Sequence, residues 1–315
     1  MKKIVLNQTL VIIPLIFIFT YIWSKYIFPY YTAGDQIVYG QFFERSIGKS
    51  FLEVFNLQKS LLGASEPGFS WLIYLVNDIL SKPTFMSLAN AFLSVLFYLF
   101  IKDRKYAWLI FTFFILNYYT SVLFFSAERL KFAVIALLLV QKIQKPYLKG
   151  IMLIVPGFFH FQYLTILPIL YGRYLLANPS FIFFTFVTFL SGVFVIYFQF
   201  GDVIILKYYA YSNNFNMIGL GKALILGVIL MTVSNQRKFD FLVAIYFLFL
   251  TILLGADRVV SMEIIYILLI IRFYNVYQFL IFFTLSLYVI FNLVSFYKLV
   301  FNCSHGFLSS VNPCF

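Results

Sequence analysis

Charge is scarce in this sequence. Only 11% of its 315 residues are charged, with 11 Asp and Glu in all, whereas soluble chains carry about 25% charged residues. With 63% hydrophobic residues and a mean hydropathy of +0.95, a water-soluble domain of this size could not cover its own apolar surface. Strict apolar/polar alternation is also missing, so the long unbroken apolar runs read as helices rather than strands. A bilayer admits only helices or closed barrels. The fold class that follows is an all-α polytopic membrane protein, one integral membrane domain over residues 1–315.

Histidine and cysteine are equally sparse. Two histidines far apart, His160 and His305, and two cysteines, Cys303 and Cys314, give no zinc-site spacing. Both cysteines fall in the polar C-terminal stretch. A disulfide between them is open if that stretch faces an oxidising compartment. Walker loop, HExxH, GxSxG elbow and CxxC pair are all absent, so no cofactor, metal or cytoplasmic nucleotide site is expected. The net charge of +12 does not point to nucleic acid. The lysines and arginines lie in short turns between apolar runs, as topology signals do.

Those basic turns orient the chain. Lys2 and Lys3 place the start of a first span, Ile4 to Phe28, in the cytoplasm. No small-residue cleavage site follows it, so it reads as a span and not as a signal peptide. Residues 30–67 are the longest polar stretch and form a first external loop, with one or two short helices in the interface. From Gly68 to Leu80 the apolar run is only about 13 residues, against the roughly 20 that a span needs. If it crossed, the turns holding Arg104, Lys142, Lys149 and Arg237 would all lie outside. A re-entrant or short helix in the outer half of the membrane keeps them inside. Further spans follow at about 83–101, 106–125, 129–141, 147–160, 161–176, 179–200, 217–234, 239–255, 258–271 and 274–297, about 11 transmembrane helices in all. Residues 201–220 form a second external loop and 298–315 an external tail. No repeat suggests the inverted halves of a transporter.

The centre of the sequence is Ser126 to Leu170, two apolar arms joined by the basic turn QKIQKPYLK. Arg129 opens the first arm and His160 closes the second. As helices of equal length, each rising about 20 Å, the arms bring these two residues level, opposite the basic turn. Ionisable groups in apolar helices are functional candidates by default. Five residues reach the outer face in this topology: Asp35, Glu66, Arg129, His160 and Arg258.

Each of the five has two readings. Arg129 is either a snorkelling interfacial anchor or an anion ligand, since the guanidinium fork matches phosphate oxygens. His160 is either a hydrogen-bonded core residue or a group that holds a phosphate or takes a proton. Asp35 in AGDQIVY is either a helix N-cap or a carboxylate that binds a hydroxyl. Glu66, ahead of Pro67, either complements a helix dipole or lies at the mouth of the site. Arg258 breaks the inside bias of basic residues, which asks for a role. Lys131 points to another side of its helix than Arg129. Glu263, deeper in the Arg258 helix, has no role in this scheme and ranks below the five; a buried cation is one partner open to it.

The segments GDQIVYGQFF, EPGFSWLIYL, SAERLKFAVIALLL, FFHFQYLTILP, KYYAY and ADRVVSMEIIYILLIIRF, in that order, resemble the EpsG-like branch of the Wzy-type polysaccharide (O-antigen, capsule or exopolysaccharide) polymerases. The resemblance covers about Gly34 to Phe273. It departs at Leu130 and Lys131, where the family often has Arg-Gln after the arginine, and at Pro156, where many relatives have small residues. It implies a GT-C-like membrane glycosyltransferase at the outer face of the bacterial cytoplasmic membrane, facing the periplasm or exterior. The implied partners are polyprenyl-diphosphate-linked oligosaccharide donor and acceptor, with a chain-length regulator as an optional further one. Arg129, Arg258 and His160 would meet the diphosphate, and Asp35 or Glu66 the acceptor hydroxyl. External tyrosines such as Tyr39, Tyr208 and Tyr211 could stack on sugar rings. The rivals are a lipid-linked oligosaccharide flippase or transporter, and a single-sugar GT-C transferase or ligase.

Overall fold

The computed structural model describes residues 2–63, 66–177, 217–233, 236–254, 256–271, 273 and 276–304. Every regular element among the described residues is a helix. In chain order they are α1 (Lys2–Ile27), α2 (Asp35–Arg45), α3 (Phe51–Leu62), α4 (Pro67–Val76), α5 (Lys82–Ile101), α6 (Ala107–Ile115), α7 (Tyr118–Phe125) and α8 (Glu128–Gln141). Then come α9 (Pro146–Met152), α10 (Val155–Phe159), a 3-10 segment (Phe161–Thr165), α11 (Leu167–Ala177), α12 (Met217–Val233), α13 (Arg237–Leu254), α14 (Ala256–Ile270) and α15 (Val276–Cys303).

Local chemistry sets many of these boundaries. A reciprocal Ser50–Glu53 capping box opens α3 and left-handed Gly63 closes it, both being standard end signals. Proline stands in the first turn of α4, α5, α9 and α10, where its missing N–H costs nothing. Asn117 caps α7 by accepting from the Tyr119 amide at 2.8 Å.

Among the described residues two helices are long and apolar enough to cross a bilayer alone, Thr9–Tyr30 and Lys82–Ile101. The pair α6 and α7 makes a third span if taken together, bent by 58°. The other apolar helices are shorter, Pro67–Val76 and Gly219–Thr232 among them. The molecule is thus a helical bundle of membrane type, with α5 packed on both α1 and α8. Its core is rich in ring contacts, such as Phe97 stacked on Phe114 at 4.1 Å.

Three sequence expectations need correction. The arm from Tyr147 to His160 is not one helix, because it breaks after Met152 and restarts as α10. Pro156 stands in the first turn of that restart, and a proline inside a continuous helix would remove a hydrogen bond and clash with the preceding turn. The run 106–125 is likewise broken, at Leu116 and Asn117. The last span, read as 274–297, runs further: α15 continues to Cys303 and buries Val300. Cys303 is disulfide-bonded, and the only other cysteine in the sequence, Cys314, lies outside the described residues. The span at 179–200 and residues 201–216, with Tyr208 and Tyr211, also lie outside them.

The bundle has two polar ends, and α5 joins them. At its start, Lys82 Nζ contacts Glu128 at 3.3 Å and the Gln36 side chain at 2.7 Å. Beyond its far end, Arg104 donates to the carbonyls of Leu268, Leu269 and Ile271, capping α14 as a cation should at a helix C-terminus. Lys142, after α8, reaches the Leu99 carbonyl at 2.8 Å. The basic turns therefore share one end. The starts of α5, α8 and α14 share the other, where Thr32 and Ala33 also hydrogen-bond the Ser304 carbonyl after α15.

Candidate functional site

Glu66 stands at the N-cap of α4, and its side chain does not cap the helix. It turns instead into a closed cluster. Arg129 Nη1 donates to Oε2 at 2.6 Å, Gln58 Nε2 donates to the same oxygen at 2.7 Å, and His160 Nδ1 lies 3.1 Å from Oε1. Arg129 Nε also donates to the Tyr39 hydroxyl at 3.1 Å. Ser70, one turn along α4 from Glu66, donates to Gln58 Oε1. His160 Nε2 faces the Gln162 side-chain oxygen at 3.2 Å.

A close helix approach sets this geometry. A Cβ on Gly68 would fall 3.0 Å from the Phe158 carbonyl oxygen and 3.0 Å from the Phe159 ring. Only glycine lets the start of α4 press onto the end of α10. His160 follows α10 directly, in extended conformation. The same approach carries Glu66 to it.

Three of the five sequence candidates thus meet: Glu66, Arg129 and His160. The levelling of Arg129 with His160 survives the break in the second arm. Glu66 differs from expectation. The sequence places it at the mouth of the site, yet it is fully buried at the centre of the cluster, because α4 is held against α10. Arg129 and His160 keep 11% and 12% of their side-chain surface exposed. Glu66 lies outside every candidate span. Burial pushes its carboxyl up, but the Arg129 charge and the bonds from His160 and Arg129 outweigh this and hold it at about 2. Glu66 is therefore a fixed anion that positions Arg129, and a poor proton acceptor.

Asp35 is exposed in the first turn of α2, one turn before Tyr39, and the N-cap there is Gly34, at φ 64. The capping role is therefore corrected: the cap position needs positive φ, which glycine takes freely. Arg258 is the third residue of α14, at the end of that helix far from the carbonyls that Arg104 caps. Its side chain lies outside the described residues.

The rest of the network was not legible in the sequence. Tyr39 is buried, with Lys82 Nζ 5.6 Å and Arg129 Cζ 5.9 Å from its ring centre. It joins the Glu66 cluster to the pair Lys82–Glu128. Gln36 and Lys131 donate to the Phe125 and Phe124 carbonyls, satisfying groups that the end of α7 leaves open. The signal that could have found them is polar side chains one turn apart on short helices: Gln36 ahead of Tyr39, and Ser70 after Glu66. The sequence leaves a buried cation open to Glu263 as a partner. Among the described residues neither of its oxygens has a hydrogen-bond partner, because its helix packs there against apolar faces of α12 and α13.

No family model matches this chain, and neither a curated protein nor a solved structure was found to be similar.

Proposed function

We propose that the chain is a Wzy-type polymerase. In this reading it joins oligosaccharide units carried on a polyprenyl diphosphate at the outer face of the bacterial cytoplasmic membrane, within a GT-C-like bundle of about 11 spans. The observation that supports it best is the buried convergence of Arg129, Glu66 and His160 from three separate elements, all within the segments that resemble that family. A buried ion pair needs good geometry and further hydrogen bonds to offset desolvation, and here Gln58 and Tyr39 supply them.

The reaction needs no cofactor. The acceptor hydroxyl oxygen bonds to the anomeric carbon of the donor sugar. The bond from that carbon to the diphosphate breaks, and the diphosphate leaves with the electron pair. The hydroxyl proton passes to a base. Positive charge fixed where negative charge develops is the main catalytic requirement. Arg129 uses Nε and Nη1 within the protein, while among the described residues Nη2 has no hydrogen bond and is the nitrogen assigned to a phosphate oxygen. His160 lies beside it as second ligand or proton carrier, and Arg258 is assigned to the same end. Exposed Asp35 is the carboxylate assigned to the acceptor hydroxyl.

The test is the glycan made by cells lacking the chain. Single repeat units on the surface are the expected result. Absence of any exported glycan would favour the flippase reading instead, and chains of normal length would remove the proposal.

A further inference from the structure

A large space in the bundle lies away from the Glu66 cluster. A cavity of about 990 Å³ opens at the other end, among the basic turns. None of Glu66, Arg129 and His160 lines it. Its cations come from three places in the chain: Arg104 and Lys105 after α5, Lys149 on α9, and Arg173 on α11. Asp103 is the one acid among its described lining residues, and Gln141, Gln144 and Gln236 add side-chain amides.

The four cations are not equivalent. Arg104 is engaged by the α14 carbonyls. Arg173 is paired with buried Asp240 at 3.2 Å and bonds the Tyr266 hydroxyl at 2.9 Å. Lys105 and Lys149 make no ion pair among the described residues. Lys105 Nζ lies 5.0 Å from the Tyr106 ring centre, and Lys149 Nζ has only a long contact, 3.4 Å, to the Gln141 carbonyl. Four cations against one acid give the lining a positive balance that suits an anion. Apolar side chains line it too, among them Leu153, Leu170, Leu269 and Phe273. The volume is near the upper end of small-molecule sites, about 300–1,000 Å³, and exceeds what a bare phosphate fills.

We propose that this cavity binds a phosphate-bearing anion, its phosphate held by Lys105 and Lys149 and its less polar remainder against the apolar side chains. The site stands apart from the Glu66 cluster and does not depend on the polymerase reading. Such an anion has two sources, a phospholipid headgroup or a soluble phosphate compound.

Purified full-length protein in neutral detergent separates them. Phosphatidylglycerol or pyrophosphate is titrated against the thermal unfolding midpoint, with phosphatidylcholine as the lipid control. A ligand that binds only the folded state raises the midpoint saturably. A rise with phosphatidylglycerol alone marks a lipid headgroup, and a rise with pyrophosphate marks a soluble ligand. The double variant Lys105→Gln, Lys149→Gln should weaken binding by about tenfold or more, since two charge-assisted contacts are lost. The exposed-lysine variant Lys59→Gln should bind as the wild type does. The unmutated protein gives a second measurement: amine-reactive labelling of Lys105 and Lys149, read by mass spectrometry, should slow when ligand is added. No saturable rise with either anion, undiminished binding by the double variant, or unprotected lysines in the presence of ligand would each overturn the proposal.

Discussion

Arg129 divides its guanidinium between Tyr39 and Glu66, a geometry that a lysine cannot copy. Lysine keeps the charge but has no planar fork. Arg129→Lys should therefore shorten the glycan nearly as much as Arg129→Ala in cells complemented at matched protein level. The loss of one such contact in a dry site is worth about 3 kcal/mol, roughly a hundredfold in rate. Chains of normal length from Arg129→Lys would take Arg129 out of the proposed site, because a snorkelling anchor accepts either residue. Glu263 leads to the opposite expectation. Its carboxyl is fully buried and, among the described residues, has no hydrogen-bond partner to lose. Glu263→Gln should leave the unfolding midpoint in detergent unchanged or raise it. A lower midpoint, equivalent to a stability loss of more than about 1 kcal/mol, the net worth of one hydrogen bond, would show that the carboxyl holds a partner.

Among the elements, the contact of α4 with α10 decides the site. Gly68→Ala places a methyl 3.0 Å from a backbone oxygen, and a carbonyl held in a helix cannot swing aside as a long side chain can. Overpacking of this kind typically costs about 1–3 kcal/mol. The expected outcome is a lower unfolding midpoint together with shortened glycan, since Glu66 shifts away from His160. An unchanged midpoint would mean that the two helices have room to part. The dipeptide Pro67–Gly68 was legible as a helix start, because proline suits the first turn. That its glycine serves a helix crossing was not legible, since no local pattern names the partner helix. The break between α9 and α10 was missed for a related reason. Hydrophobicity runs unbroken through Met152 to Phe159, and periodicity alone does not register a proline restart.

For the whole molecule, the two polar ends lie a helix apart, with Lys82 at one and Lys105 beyond the other. Cysteines placed at 82 and 105 should be labelled by an impermeant thiol reagent from opposite sides of the membrane. Labelling of both from the cytoplasm alone would overturn the topology, and with it the outward placement of Glu66. The sequence by itself determined the helical membrane class, the gathering of the basic turns at one end, and the levelling of Arg129 with His160. Each of these follows from composition, from hydropathy or from counting residues along a helix, quantities that a linear chain carries in full. Only the tertiary structure decided that Glu66 is an interior anion and not a rim acid, that Tyr39 links two charged groups, and that a large cavity lies among the basic turns. Those depend on which helices touch and how closely. That is set by side-chain volumes meeting across segments far apart in the chain, such as Gly68 against Phe158.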